Sequence, residues 1–351
     1  MVDWDLAVAT AGALVKSGPK VTYAEAADVV TELRNLTDLA ERHVQEYTGL
    51  TARVDHPPVR VVDRRDWVAS NVNGLQQVMT PLIDQLARRG TVNSVTRLIG
   101  SKATGVQAGT VFAYLSGKVL GQYEVFSGEP GQLLLVAQNI VEAERKLSAD
   151  PTDFRLWVCL HEVTHRTQFT AVPWLRQHFL DEVKSFVDAA DTDGEALAAR
   201  LRGALDAIVD SVRNPDSRTS VIDLVQTPAQ RAIVDRLTAL MTLVEGHAEF
   251  VMDGVGPDVV PSVASIREKF NARRVARNPL EKVLRRLLGV EVKMRQYAEG
   301  NRFVAAVVKQ VGMEGFNSIW NSAETLPRTA ELSKPAAWIE RVHGRAAATG
   351  S

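Results

Sequence analysis

One cysteine, Cys159, stands in a chain of 351 residues. That excludes a disulfide framework and any cysteine-rich zinc cluster. An excess of one charge sign is also missing. Lys plus Arg is 41 and Asp plus Glu is 42, a net charge of -1, which removes the electrostatic case for a nucleic-acid binder. There is no run of about 18 uncharged apolar residues, so no membrane span is expected. The opening stretch MVDWDLAVATAGALV carries Asp3 and Asp5 where a signal peptide would carry Lys or Arg, so it does not read as a targeting segment. The expected compartment is a reducing cytoplasm, where one unpaired cysteine is ordinary. No internal repeat of 20 to 50 residues is visible. Histidines number only seven, so two of them at ligand spacing carry information.

What is present reads as helix. The hydrophobic fraction is 45% and the charged fraction 24%, with aromatics at 6%, a globular composition rich in Ala, Leu, Val, Arg and Glu. Helices are expected over 22–50, from Thr22, and over 66–90 and 102–119. The segment 54–64 cannot be continuous helix because of Pro57 and Pro58. YEVF (123–126) and LLLVA (133–137) flank a Gly/Pro-rich turn and suggest a β-hairpin. Residues 186–226 are polar and acidic and read as a helical insertion. The expected organisation is an N-terminal helical region (1–100) packed on a catalytic core (101–345), together one compact unit. The fold class is mainly α (α+β), many helices with one small antiparallel sheet.

The informative helix begins at Asp150, a good N-cap, followed by Pro151 at the first helical position. It should run to about Thr170, before Pro173. Inside it lies His161-Glu162-Val163-Thr164-His165. Histidines at i and i+4 share one helix face, so their nitrogens can converge on one ion. Glu162 between them can reach a water on that ion without being a ligand. In this HExxH arrangement the metal acidifies the water and the Glu takes its proton. The apolar positions Phe154, Trp157 and Val158 lead into both histidines and turn them inward.

Such a site needs a third protein ligand and an open fourth position. A helix should start at the capping signal Thr227-Pro228-Ala229-Gln230 and end at Gly254. On it, Glu245 shares an apolar stripe with Val234, Leu237, Met241, Ala248 and Met252. Gly246 and Ala248 are small enough for close approach to the histidine helix. Glu245 therefore ranks first, ahead of Glu249 and of Asp181 or Glu182. Glu249 and Asp253 could each hold a ligand histidine by its second nitrogen. His247 should point away from Glu245, as a structural histidine rather than an oxyanion donor. Tyr297 could donate to a tetrahedral intermediate or simply pack. Cys159 points elsewhere than His161 and reads as core. The basic cluster Arg273, Arg274, Arg277, Arg285 and Arg286 reads as a solvated face. GSKATG (100–105) lacks the strand and the Lys-Ser/Thr of a phosphate loop.

HEVTH together with EGHAEF (245–250) resembles the gluzincin metallopeptidases. The 79 residues between His165 and Glu245 depart from their shorter spacing. More narrowly, RLWVCLHEVTHRTQF (155–169), PWLRQH (173–178), LVEGHAEFVMD (243–253) and the hairpin 121–140 resemble an actinobacterial zincin-like family of hydrolases associated with coenzyme F420 biosynthesis. The resemblance implies a zincin fold and one Zn2+ per chain held by His161, His165 and Glu245. It further implies Glu162 as general base and a peptide or protein substrate. Zincin folds place an edge strand above the metal, and 133–137 is the better candidate for it, with a small purely structural sheet as the equal alternative. The competing reading is a zincin-shaped scaffold with little turnover.

Overall fold

The computed structural model describes residues 2–52, 58–89, 94–126, 128–189, 228–274 and 290–349. The expected insertion lies almost wholly outside the described residues, as do Thr227, Arg277, Arg285 and Arg286. Among the described residues there are twelve α-helices, two 3-10 turns and three short strands. None of these helices is long and apolar enough to cross a membrane.

The local signals act where the sequence places them. Helix α1 (Trp4–Leu14) starts at Asp3, whose carboxylate accepts from Leu6 N at 2.9 Å. Helix α2 (Tyr23–Thr48) starts at Thr22, where Thr22 and Glu25 form a reciprocal capping box, satisfying two orphan amides at once. Helices α3 (Arg64–Arg89) and α4 (Ser94–Ser116) follow. Strands β2 (Gly121–Glu124) and β3 (Gln132–Val136) form the expected antiparallel hairpin.

The sheet is mixed, however. Strand β1 (Arg60–Val62) pairs with β3 in parallel, giving the order β1-β3-β2. This corrects the expected edge: β3 is paired on both sides, and the edges are β1 and β2. Burial explains the sequence of β3. Its Leu133 and Leu135 enter the main core, while Leu134 and Val136 enter a smaller core with Val62, Trp67, Val68 and Val72. A strand covered on both faces reads as a continuous apolar run.

Helix α5 (Ala137–Leu147) leaves β3 directly and leads to α6 (Pro151–Ala171). Asp150 caps α6 by accepting from Asp153 N at 3.0 Å. Helix α6 is the centre of the molecule. Phe154, Trp157, Cys159, Leu160 and Val163 are all within 3% of full burial, each large apolar side chain contributing about 1.5–3 kcal/mol. Around it pack α2, β2, α7 (Leu175–Asp188) and α8 (Pro228–Gly254). Helices α9 (Val263–Arg274), α10 (Val290–Asn317), α11 (Thr329–Leu332) and α12 (Pro335–Thr349) complete the described elements.

Cys159 is core, as expected. It lies against Thr37 and the Leu33 carbonyl, and burial pushes its thiol up to about 12. Gly246 is a correction. Its face meets Gly300 and Asn301 of α10, not the histidine helix. The missing side chains let α8 and α10 cross almost backbone to backbone.

Candidate metal centre

Helix α6 presents His161 and His165 on one side, and α8 brings Glu245 to them. The two Nε2 atoms are 3.1 Å apart. Glu245 Oε2 lies 3.6 Å from His161 Nε2 and 3.5 Å from His165 Nε2. These are the three sequence candidates, and their donor atoms form a near-equilateral triangle. Donors bonded to tetrahedral zinc at about 2.0–2.1 Å stand about 3.3–3.4 Å from one another, so the triangle has the size such an ion requires.

The charges also fit an ion. Glu245 Oε2 is shielded from solvent and makes no hydrogen bond of its own. Burial would raise the Glu245 carboxyl, but His165 and His161 outweigh it and hold it well below the usual carboxylate range. Burial opposes a proton on His165, yet the Glu245 carboxylate beside it lifts the ring to about 9. The site favours positive charge at its centre, and a divalent cation supplies that as well as a proton does.

Glu162 is buried next to this triangle, at 7% exposure. Burial pushes its carboxyl up, against the opposing pull of His161 and His165. Strand β2 passes over it. A Cβ on Gly121 would fall within 3 Å of Glu162 Cγ, Cδ and Oε1, so the strand lies directly on the carboxylate.

The remaining candidates go elsewhere. Asp181 accepts from Gln177 and Glu182 from Arg236. Glu249 and Asp253 pair with Arg267, at 3.4 and 2.7 Å, rather than holding a ligand histidine. Asp253 also accepts from the Trp157 indole at 3.3 Å. His161 Nδ1 makes no hydrogen bond. Tyr297 lies on α10, and its side chain is outside the described part of the structure. His247 is fully buried, stacked on Phe316 with ring centroids 5.2 Å apart, and burial drives its ring down to about 3. It faces away from Glu245, as helical geometry requires two residues on.

Sequence reasoning missed Gln168. Its Oε1 lies 3.0 Å from His165 Nδ1. The available signal was spacing: position 168 follows His165 by three and His161 by seven, the same helical face.

Comparison with known proteins gives the chain a family. No curated protein matches the chain. A solved structure from Chloroflexus aurantiacus, described as a "putative hydrolase with a novel fold", is similar at 29% identity and a TM-score of 0.70. The similarity covers 98% of this chain and 99% of that one. A family model for zincin-like metallopeptidases matches residues 2–339, from α1 through the histidine helix and the Glu245 helix into α12, and the chain belongs to that family.

Proposed function

We propose that this chain is a zinc-dependent hydrolase of peptide or amide bonds. His161, His165 and Glu245 hold the ion, and Glu162 is the general base. The observation that supports it best is the donor triangle of 3.1, 3.5 and 3.6 Å beside a buried carboxylate. A bound zinc supplies Lewis acidity, polarising a carbonyl and lowering the pKa of a water to about 7.

The chain's own residues do the rest. Glu162 takes a proton at a carboxylate oxygen and passes it to the leaving amine. Its burial suits the task, because a raised pKa makes a stronger acceptor at neutral pH. Substrate would lie along β2. The Leu120 carbonyl accepts from Val136 N at 2.8 Å, so Leu120 and Val136 form a hydrogen-bonded pair. By alternation, the amides and carbonyls of Gly121 and Tyr123 point away from β3. An extended peptide can pair with them. The row ends at Val125, whose carbonyl accepts from Arg176 Nε at 2.9 Å.

A role in coenzyme F420 metabolism rests on resemblance alone. Residues 100–105 lie within α4 and form no phosphate loop. The deciding experiment compares wild type with Glu162→Gln, both zinc-loaded, on a peptide library. Wild type should cleave and Glu162→Gln should lose about 10²–10⁴ in rate. Cleavage undiminished in the variant would sink the mechanism. A scaffold predicts no difference between the two in any phenotype.

A further inference from the structure

Gln168 is fully buried on α6, and its amide touches three groups. Nε2 donates to the Val244 carbonyl at 2.9 Å and lies 2.9 Å from His247 Nδ1. Oε1 lies 3.0 Å from His165 Nδ1. A backbone carbonyl can only accept, which fixes the orientation of the amide. Oε1 must then accept from His165, whose Nδ1 carries the proton. In the neutral ring that a metal requires, the lone pair of His165 is thereby placed on Nε2, the atom that faces His161 and Glu245. The second Nε2 proton of Gln168 meets His247 Nδ1, which accepts, so His247 carries its proton on Nε2. That N–H is buried between Phe316 and Trp320 and has no hydrogen-bond partner. A buried donor left unsatisfied calls for a reason elsewhere, and the reason is the acceptor on the other side of its ring.

We propose that Gln168 is a positioning residue that locks the His165 tautomer for metal binding. Val244 and His247 hold Gln168 in turn. These two residues flank Glu245, so one turn of α8 offers a carboxylate to the site and also sets the ring opposite it. The proposal rests on the reading of His165 as a metal ligand. A structural glutamine that merely ties α6 to α8 would affect folding alone.

The test uses full-length protein labelled with 15N-histidine and loaded with zinc. Long-range 1H–15N spectra of wild type should show the His165 proton on Nδ1. Zinc affinity is read by competition with a chromophoric chelator. Gln168→Leu should bind zinc about 10–100-fold more weakly. Gln168→Glu keeps an acceptor for Nδ1–H while losing both donors. It should restore most of the affinity even though the α6–α8 tie is gone, which a structural role would not allow. Zinc-loaded wild type with the His165 proton on Nε2 overturns the proposal without any variant. Unchanged affinity in Gln168→Leu also overturns it. Wild type that takes up no zinc overturns the metal reading itself, and the proposal with it.

Discussion

A methyl group on Gly121 would stand 2.6 Å from Glu162 Cγ and 2.7 Å from Cδ. Cγ lies in the middle of the Glu162 side chain and Cδ is its carboxylate carbon, so the clash is relieved only by moving the carboxylate itself. Gly121→Ala should therefore displace the Glu162 carboxylate while leaving His161, His165 and Glu245 in place. The expected outcome is retained zinc, a stability loss of about 1–3 kcal/mol and a rate loss approaching that of Glu162→Gln. Metal analysis and kinetics on the same sample check it. Full activity in Gly121→Ala would show that Glu162 does not act from this position.

Removing the metal should lower thermal stability. An ion bound only by the folded state adds RT ln(1 + [L]/Kd), about 4 kcal/mol at a thousandfold excess over Kd. Calorimetry with and without a chelator should show a melting temperature several degrees lower in the chelated sample. His161→Ala should melt alike in both conditions, having no site to empty. Equal melting of wild type in both conditions would count against a tight metal site.

The helices were legible because their signals are local. Asp150 with Pro151, and Thr22 with Glu25, mark helix starts by chemistry confined to one turn. His161 and His165 declare a shared face by spacing alone. Glu245 could be ranked from its stripe, although 79 residues separate it from His165. The misread features depend on what packs from far along the chain. β1 is three residues long and follows a proline pair, so nothing local shows that it would flank β3 and make β3 the central strand. Gly246 declared close approach, but not whether α6 or α10 comes near. Gln168 was passed over because a glutamine on a helix usually reads as surface. Only the carbonyl of Val244, 76 residues away, makes it part of the site.

Alkaline pH should weaken the fold through Tyr123. Its phenol stacks on Phe169, donates to the Pro130 carbonyl, and is pushed up to about 12, chiefly by burial. The folded value lies above the ordinary value of 10.0. Its contribution is therefore complete below pH 10 and is lost as pH rises through about 12. Within that window the slope is about 1.4 kcal/mol per pH unit. Tyr123→Phe should be less stable than wild type near neutrality, with the difference shrinking above pH 10. Urea unfolding across this range checks it. A constant difference would mean that Tyr123 titrates normally in the folded protein.

The crossing of α8 and α10 should be the least tolerant backbone contact near the site. A Cβ on Gly300 would overlap the Thr242 carbonyl and stand 3.0 Å from Gly246 Cα. The obstacles are backbone atoms, so no rotamer change can relieve them, and the helices must move apart. Thr242 lies less than one turn before Glu245, so the shift passes directly to the carboxylate. Gly300→Ala should cost about 1–3 kcal/mol or more, and zinc affinity should fall with it. Gly12, on α1, is the control, since a Cβ there meets nothing within 4 Å. Gly12→Ala should stabilise by about 0.4–1 kcal/mol and leave zinc affinity unchanged. Denaturant titration and chelator competition on the two variants separate the effects. A Gly300→Ala variant that is destabilised but binds zinc as wild type does would show that the Glu245 helix holds its position independently of α10.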